Sequence, residues 1–482
     1  MSKKEAKAQY IYQTLVDVDN PPIRVSTYAE RDLDDAILDA SMEGGGYTAI
    51  GLSAAYAPRS GVLNAVALCV RDCALVIQLA SAGARSGRPT PGITVQHILG
   101  ERTLLDKSGT GGFYGFDMDQ IALSLWKDHD ISIADAIDIQ SICPSKGARV
   151  PLVTIKFCGG DEVHVNEDNV GHTFSNMDWD PKSCVDIVQR SWVSWFLATQ
   201  PSMEEGFRAI PRIHIQQFTP EVLSWLAKIV RDSQRQEEPA EVVHEFSGLR
   251  ETRQGKLEIR QEQFKNRIQR PYGNQQMHFQ INDSGASYSI PARPTEILGR
   301  RAQITTQGNL VLDGKLMTSL VTTGSRAPTQ AQSLRASTVL NILQKKVQPF
   351  SNPWLKMLYL DQIPEWPDSP SALGLSSLPV TPTQPLNESQ LLAVSKMLCS
   401  SKEEKFTLIQ GPPGTGKTSV IGQFVLAAIS GGARGLWLVA KSNVAVKNIA
   451  EKLSSLEFMS WRLVVSADFH YDWYGVTHPC CS

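Results

Sequence analysis

The fold class of the chain is decided by residues 406–418, which read FTLIQGPPGTGKT. The apolar run at 406–409 predicts a buried strand. The next eight residues, 411–418, fit the pattern G-x-x-x-x-G-K-[ST], and a helix-like segment follows at once. Strand, glycine-rich loop and helix start, in this order, form the context that a phosphate-binding loop requires. The sequence therefore predicts an α/β nucleotide-binding region here.

Each residue type in this loop has a chemical reason. Glycines at 411, 414 and 416 are expected to adopt positive φ and to bring backbone N–H groups close to phosphate oxygens. Lys417 would neutralise the β- and γ-phosphates of ATP, and the Thr418 hydroxyl would bind Mg²⁺ held by the nucleotide. The N-terminus of the helix adds partial positive charge. A glycine-rich turn without function is the alternative, which the full pattern and its flanks disfavour. The predicted nucleotide-binding residues of the loop are Gly411, Pro412, Pro413, Gly414, Thr415, Gly416, Lys417 and Thr418.

Length and charge bound the possible functions. The chain has 482 residues, enough for two to four domains, and its composition of 42% hydrophobic and 20% charged residues is typical of globular protein. The formal net charge of −2 gives no global sign of nucleic-acid binding. Residues 381–462 carry nine Lys and Arg against five Asp and Glu, a modest local basic excess around the loop.

The eight cysteines show no zinc-ligand spacing, and a reducing intracellular compartment, nucleus or cytoplasm, is the simpler expectation. The N-terminus lacks the apolar core of a signal peptide, and no apolar run approaches the length of a membrane span. The sequence therefore predicts no membrane partner.

An α/β pattern extends over residues 22–205, after a polar leader at 1–21. Strand candidates are predicted at 23–27, 47–52, 62–70 and 74–80, with helices at 31–41 and 118–127. Gly115 shortly precedes Asp119, which opens the second helix, and the pair Asp138-Ile139 begins another element. Near the end of the region stand Lys182, Asp186 and two tryptophans.

These residues resemble three motifs of the 3′–5′ exonucleases of the ribonuclease D and Werner type, over about residues 45–200. The resemblance implies a ribonuclease H-like fold and four carboxylates that hold two metal ions. Asp119 fits the second motif. Asp186 fits the aspartate of the third motif, Y-x-x-x-D, but Lys182 stands in place of its tyrosine. Ser53 and Ala55 stand where the first motif, D-x-E, has its two acids.

The departures predict a pseudo-exonuclease, because neither Ser53 nor Ala55 can hold a hard divalent cation as a carboxylate does. Lys182 is also expected to bring a positive charge towards the place where cations would bind. Two alternatives remain open. In the first, the alignment of this chain with the exonuclease motifs is displaced by a few residues, and Asp117 or Asp128 supplies a carboxylate. In the second, the region is a generic α/β domain, and its acids have no catalytic role. A pseudo-exonuclease groove would still bind a nucleic-acid strand or a protein.

The middle of the chain divides by composition. Residues 206–270 are rich in charge and helix formers, and predict a solvated helical connector rather than a basic nucleic-acid strap. Residues 271–363 show short alternating runs and then a helix at 331–345, which predict a β-barrel-like or sheet region with helices. Residues 364–384 form an extended linker, and the stretch 364–385 contains six prolines.

The region 385–472 completes the context of the loop. The pattern L-N-x-x-Q ends at Gln390, and S-N-x-A-V-x-N begins at Ser442 and Asn443. Together with the loop, these motifs resemble superfamily 1B helicases of the nonsense-mediated-decay kind. The resemblance implies that Gln390 reads the adenine edge, and that Ser442, Asn443 and Lys447 contact the backbone of a single strand. An ordinary polar residue at 390 and a plain helix cap with a solvated lysine are the alternatives.

Motifs of the later helicase core, among them the Walker B acids, do not follow, and residues 473–482 abandon the α/β pattern. A truncated product or a faulty gene model is the expectation. The favoured hypothesis is a fragment of a superfamily 1 helicase with a partial RecA-like domain, which binds ATP weakly with Mg²⁺, does not hydrolyse it, and contacts single-stranded RNA or DNA. An active 3′–5′ exonuclease and a non-catalytic nucleic-acid or protein scaffold are the alternatives.

Overall fold

A computed structural model gives the fold of the chain. It describes residues 9–42, 46–58, 60–80, 94–101, 104–106, 111–144, 149–235, 242–244, 248–251, 256–261, 268, 276–283, 286–298, 301–306, 316–323, 330–360, 362, 365–366, 385–399 and 406–464. The chain divides into two compact units. The first comprises Met1–His244, Arg270–Arg293 and Thr306–Ile363; the second comprises Glu245–Gln269, Pro294–Thr305 and Pro364–Ser482.

A mixed seven-stranded sheet forms the centre of the first unit. Its strands are β1 (Gln9–Ile11), β3 (Ile23–Ala29), β4 (Ala49–Tyr56), β5 (Leu63–Val70), β6 (Cys73–Gln78), β7 (Gly112–Gly115) and β8 (Ala136–Asp138). The spatial order is β1-β3-β6-β5-β4-β7-β8. β5 runs antiparallel to both of its neighbours, whereas β4, β7 and β8 are parallel. A small second sheet pairs β2 (Val16–Asp17) with β9 (His164–Val165).

The central strand β4 is buried along its whole length of eight residues. Successive side chains of a strand point to opposite faces, so a strand covered on both faces becomes a continuous apolar run. Ile50, Leu52 and Ala54 contribute to one hydrophobic cluster, whereas Ala49 and Ala55 contribute to another. The sheet therefore carries a core on each face.

The described residues of the first unit form ten α-helices, and all but the last contribute side chains to these cores. They are α1 (Asp35–Met42), α2 (Val95–Gly100), α3 (Met118–His129), α4 (Pro151–Gly159), α5 (Glu167–Ser175), α6 (Val185–Ala198), α7 (Glu204–Ala209), α8 (Pro220–Arg235), α9 (Gln330–Leu343) and α10 (Pro353–Tyr359). Side chains of α3, α8 and α9 belong to the first cluster, and those of α6 to the second. Asp128 joins α3 to α8 through a two-pronged ion pair with Arg231, with N–O distances of 2.7 and 2.6 Å.

Helix α6 crosses β4 at Gly51, where the two backbones come into direct contact. A Cβ atom added to Gly51 would lie 1.9 Å from the Ser191 carbonyl oxygen and 2.6 Å from the Trp195 nitrogen. Glycine is needed here because no side chain fits between the helix and the strand.

Antiparallel strands follow α8. They are β10 (Val242–His244), β11 (Gly248–Glu251), β12 (Leu257–Arg260), β13 (Gln276–Asp283), β14 (Ala286–Leu298), β15 (Arg301–Thr306) and β16 (Leu316–Thr323). In the first unit β16 pairs with β10 and β13, and β13 also pairs with the first part of β14. In the second unit β12 pairs with β11 and β15.

The prediction of a β-rich region after residue 271 is confirmed, but the predicted helical connector is wrong beyond α8. Residues 242–260 contribute three strands, and Leu257 and Ile259 are buried. The charged residues that suggested a solvated helix alternate with the buried ones, as they do in a strand with one covered face. Residues 307–315 of the predicted region lie outside the described residues.

The described residues of the second unit also form three helices, α11 (Glu388–Leu398), α12 (Lys417–Ser430) and α13 (Asn443–Ser455). Val394 and Leu398 of α11 pack with Val420, Ala427 and Ala428 of α12. Gly422 lies where α12 meets the end of α13, since an added Cβ would stand 2.8 Å from Leu456 Cδ1.

The buried strand predicted at 406–409 is wrong, and the apolar run at 435–440 is not a strand either. Both segments have no assigned strand, and Leu408 and Trp437 are 81% and 84% exposed. Ile409 and Leu436 pack against the helices, while the side chains that alternate with them face outward. Among the residues that the structure describes, these segments are covered on one side only, and apolar character alone did not bury them.

The predicted polar leader is also wrong where it is described. Residues 9–11 and 16–17 form strands, and Ile11, Leu15 and Val16 are buried in the second cluster. Within the described ranges, no helix is long and apolar enough to cross a membrane.

Replacing Gly51 with alanine is expected to destabilise the first unit by more than about 3 kcal/mol, because backbone atoms of α6 cannot yield to the new methyl group. Urea unfolding monitored by circular dichroism measures the change. Gly46→Ala is the matched control. Its φ of 86° is strained, but nothing lies within 4 Å of its added Cβ, so the loss should be about 1 kcal/mol. Equal losses in the two variants would contradict the close contact.

Candidate nucleotide site and a buried carboxylate cluster

The glycine-rich loop bends at two of its three glycines. Gly414 and Gly416 have φ of 82° and 80°, and Gly416 is the residue that caps α12. The expectation of positive φ is wrong for Gly411. That glycine is needed for space, because an added Cβ would stand 2.7 Å from the Thr415 hydroxyl. The loop thus leads directly into the N-terminus of α12, where backbone N–H groups favour an anion.

Lys417 is the first residue of α12, and its amino group folds back over the loop. Its Nζ atom donates to the carbonyl oxygens of Gly411 and Pro412, both at 2.7 Å. The Thr415 hydroxyl donates to the Pro412 carbonyl at 2.9 Å. Thr418 follows and is exposed. The loop therefore holds an ammonium group beside a helix N-terminus, an arrangement that suits the phosphate groups of a nucleotide.

Gln390 connects the start of α11 to this loop. Asn387 and Gln390 form a reciprocal cap, in which each side chain accepts from the backbone N–H of the other residue, at 2.9 and 3.0 Å. The free end of the same side chain donates to the Thr415 carbonyl at 3.0 Å. An added Cβ at Gly416 would stand 2.7 Å from Gln390 Nε2. Gln390 thus helps to position the loop backbone, while its predicted contact with adenine stays a prediction.

The second predicted motif lies at the start of α13. The Ser442 hydroxyl accepts from the backbone N–H of Ala445 at 3.2 Å, so Ser442 is the helix cap. Asn443 is the first residue of the helix. Lys447 forms an ion pair with Glu451 one turn later, at 3.4 Å, and is partly exposed. Their predicted contact with a single strand stays a prediction.

The residues that replace the first exonuclease motif lie in β4, and an arginine approaches them. Ser53 and Ala55 are both buried. The Arg190 side chain, from α6, donates to the Ser53 hydroxyl at 3.1 Å and to the Ala54 carbonyl at 3.0 Å. Its remaining bonds go to the Thr173 and Asn176 carbonyl oxygens, at 2.7 and 2.6 Å.

Arg190 is a buried cation, with 3% of its surface exposed. Burial lowers its pKa to about 10, against the opposing influence of Asp186 and Tyr56. The guanidinium therefore remains charged at neutral pH, and neutral oxygens accept its hydrogen bonds. A cation, rather than a pair of carboxylates, stands beside the first-motif positions.

Asp119 lies in a different arrangement, a cluster of carboxylates around Arg149 in which Asp119 and Asp138 are buried and Asp117 is partly exposed. The cluster consists of Asp117, Asp119, Asp138, Gln140 and Arg149. Asp119 accepts from Arg149 Nη1 at 2.6 Å, and Asp138 accepts from Nη2 at 2.5 Å. Asp117 is 3.4 Å from Nη2, and Gln140 accepts from Nε at 3.2 Å. One guanidinium therefore bridges three carboxylates.

The charged groups of this cluster shift one another's pKa. Burial raises the pKa of Asp119, and Arg149 opposes that effect. Burial alone would lower the pKa of Arg149, but the carboxylates of Asp119, Asp138 and Asp117 raise it above its ordinary value. Arg149 thus stays protonated. Asp138 also accepts from the Met118 N–H at 3.3 Å and so caps α3.

The other predicted acids lie outside the Arg149 cluster, and Asp186 is near enough to Arg190 to oppose the lowering of its pKa. Asp186 is in the first turn of α6 and accepts from Asn176 Nδ2 at 2.6 Å. Lys182 precedes that helix and is exposed, so the cation beside Ser53 is Arg190 and not the predicted Lys182. Asp128 is engaged by Arg231 at the other end of α3. Among the described residues, no three His, Cys, Asp or Glu side chains are arranged to hold a metal ion, so the residues present do not fit the two-metal site.

Sequence reasoning missed Arg149 and Arg190. Each is separated in sequence from its acidic or polar partner, Arg149 by 30 residues from Asp119 and Arg190 by 137 from Ser53. The one available signal was the apolar surroundings of Arg190 in α6, where an unpaired charge is costly.

Comparison with known proteins finds similarity over the segment that contains the loop. Residues 385–468 match the AAA domain family. The regulator of nonsense transcripts 1 homolog of Arabidopsis thaliana is 40% identical over 86 residues, 18% of this chain and 6% of that protein. An uncharacterized ATP-dependent helicase of Methanocaldococcus jannaschii is 43% identical over 68 residues, 14% and 10% of the two chains. The DNA-binding protein SMUBP-2 of Mesocricetus auratus is 39% identical over 88 residues, 17% and 8%.

These matches support a superfamily 1 helicase region over residues 385–468, and the AAA segment is of helicase type. The chain spans at most a tenth of the length of each of these relatives. The resemblance predicted for the C-terminal part of the chain is confirmed at this level.

Replacing Gln390 with alanine is expected to destabilise the second unit by about 1–2 kcal/mol, since it removes one side of the reciprocal cap and the bond to Thr415. Asn387→Ala should cost about 1 kcal/mol. Urea unfolding measures both. Ser395→Ala is the control, because this exposed hydroxyl bonds only to the Leu392 carbonyl of its own helix. A Gln390 variant as stable as the Ser395 variant would show that the bridge contributes nothing.

Proposed function

We propose that residues 385–468 form the ATP-binding part of a superfamily 1 helicase motor, and that ATP is bound with Mg²⁺. The observation that carries the proposal is the glycine-rich loop that begins α12, with Lys417 folded over it and Gln390 bonded to it. Phosphate oxygens are stronger acceptors than the Gly411 and Pro412 carbonyls, because they carry charge. Lys417 would therefore exchange its carbonyl bonds for phosphate bonds when the nucleotide binds.

The remaining loop residues would orient the nucleotide. Backbone N–H groups at the start of α12 would donate to the phosphate oxygens. Thr418 is exposed in the first turn and is proposed to bind the Mg²⁺ that accompanies the nucleotide. In a full-length relative, this chemistry would drive movement along RNA or DNA.

The proposed partner is single-stranded RNA or DNA. Ser442 and Asn443 begin α13, and Lys447 lies one turn later. A helix N-terminus with a cation nearby suits phosphate groups of a strand, and such contacts carry no preference for sequence. Lys447 would then exchange its ion pair with Glu451 for a phosphate.

For residues 22–205 we propose a ribonuclease H-like domain without nuclease chemistry. A ribonuclease H-like core is a mixed five-stranded sheet in which one strand is antiparallel to the rest. The order β6-β5-β4-β7-β8, with β5 antiparallel, supports that fold. Asp119 held by Arg149, and Arg190 beside Ser53, support the loss of metal-dependent cleavage. The domain would serve as a non-catalytic surface for a strand or a protein.

Replacing Lys417 with alanine is expected to weaken the binding of ATP by about 10- to 100-fold, since a charged hydrogen bond contributes about 1.5–3 kcal/mol. Titration of a fluorescent ATP analogue in the presence of Mg²⁺ measures the change. Lys396→Ala, at an exposed lysine in the last turn of α11, is the control and should bind as the unaltered chain does. Equal affinities in all three proteins would remove the loop from the nucleotide site.

A labelled single strand incubated with the chain and Mg²⁺ or Mn²⁺ is expected to be bound but not shortened. Binding should weaken roughly twentyfold when the salt concentration rises fourfold, if about three phosphates are contacted. Gel-shift and denaturing-gel measurements on the same samples separate binding from cleavage. Degradation that disappears in Asp119→Asn would establish an active exonuclease instead. Salt-independent binding would argue against contacts with phosphate.

A further inference from the structure

Three carboxylates meet at one edge of the central sheet in the first unit. Gly115, the last residue of β7, is paired with Asp138, the last residue of the parallel strand β8. Asp117 and Asp119 follow β7 directly and begin α3. The carboxyl ends of parallel strands are where sheets of this kind bind ligands. The topology thus places the three acids at a position suited to a cation.

The cation at this position is the guanidinium of Arg149, which precedes α4. Its two terminal nitrogens contact one oxygen each of Asp119 and Asp138, at 2.6 and 2.5 Å, and Nη2 is 3.4 Å from Asp117. Arg149 has 13% of its side chain exposed, whereas Asp119 and Asp138 have 1% and 0%. Carboxylates buried to this extent need a positive charge beside them.

The charge of Arg149 does not satisfy the whole cluster. Three carboxylates share one guanidinium, and Asp119 Oδ2 is buried without a hydrogen-bond partner among the described residues. The neighbouring Gln140 Nε2 is likewise buried without a hydrogen-bond partner among the described residues. An oxygen of a nearly inaccessible carboxylate thus retains capacity for a ligand, and hard divalent cations are the ligands that carboxylate oxygens prefer.

We propose that Arg149 is a fixed internal cation that takes the place of a divalent metal ion among Asp117, Asp119 and Asp138. The inference rests on the proposed absence of nuclease chemistry in residues 22–205 and gives a physical cause for it. A guanidinium binds acceptor oxygens at two separate nitrogens, whereas Mg²⁺ binds its oxygen ligands at about 2.1 Å around a single centre. The carboxylates cannot converge on a metal while Arg149 separates them.

The proposal predicts that the cluster becomes a metal site when the guanidinium is removed. In Arg149→Gln, the acids lose the guanidinium that bridges them, and Mn²⁺ would replace the lost charge. Thermal unfolding of the full 482-residue chain is then expected at a lower temperature without metal. Mn²⁺ at about a hundredfold excess over its dissociation constant should raise the unfolding temperature by roughly 5–10 °C. The unaltered chain should show no such rise.

Electron paramagnetic resonance titration of Mn²⁺, without nucleotide, gives a second readout. Arg149→Gln should bind one Mn²⁺ per chain more than the unaltered protein, and Arg149→Gln with Asp119→Asn should lose it. Arg208→Ala is the matched control, because this arginine forms an exposed ion pair with Glu204 on its own helix. If the single variant does not fold, Arg149→Gln with Asp138→Asn removes one buried negative charge as well. The same Mn²⁺-dependent rise is expected in that double variant, because it keeps Asp119, whose Oδ2 has no hydrogen-bond partner among the described residues.

Two results would overturn the proposal. A folded Arg149→Gln chain that binds no additional Mn²⁺ would show that Arg149 only packs against the acids. Binding of Mn²⁺ to the unaltered chain that is lost in Asp119→Asn would show that the cluster admits metal with Arg149 in place. The proposed function fails separately, because nuclease activity of the unaltered chain is read from strand cleavage and not from metal binding by a variant.

Discussion

The burial of β4 on both faces is the constraint on which the first unit depends. All eight residues of the strand are buried, and α6 lies so close that Gly51 has no room for a side chain. A carboxylate at position 53 or 55 would stand in this interior and would need a metal ion or another cation. Ser53 and Ala55 remove that need, and the serine hydroxyl accepts a bond from Arg190 instead.

Arg190, which is buried, and Arg149, which keeps 13% of its side chain exposed, solve the problem of enclosed charge in different ways. Arg190 is solvated by neutral oxygens, mainly backbone carbonyls, so its charge is spread over weak dipoles and burial lowers its pKa. Arg149 is paired with carboxylates, which raise its pKa. The first arrangement joins the end of α5 to β4, whereas the second neutralises acids that the sheet edge brings together. Replacing either arginine therefore leaves a different kind of unsatisfied group.

Sequence reasoning worked where the signal was local. The apolar runs that predicted β4, β5 and β6 are buried on both faces, and Ser442 begins a helix as a cap. It did not work where burial depends on distant neighbours. The run at 406–409 has the composition of a strand, but the described residues cover only one of its faces. The hydrophobic periodicity also gave no sign that Arg149 would lie among three acids, because the strand order of the sheet brings these residues together.

The glycine-rich loop shows why the candidate site was easier to predict than its surroundings. Its shape depends on contacts within the segment 387–417: two glycines with positive φ, the Asn387–Gln390 cap, and the Lys417 bonds to two carbonyls. None of these contacts requires paired strands at 406–409 or 435–440. Positions 414 and 416 accept only glycine without strain, so the glycines of the sequence pattern are enough to predict the backbone conformation of the loop. The loop is therefore specified by its own residues, whereas the carboxylate cluster of the first unit is specified only by the complete sheet.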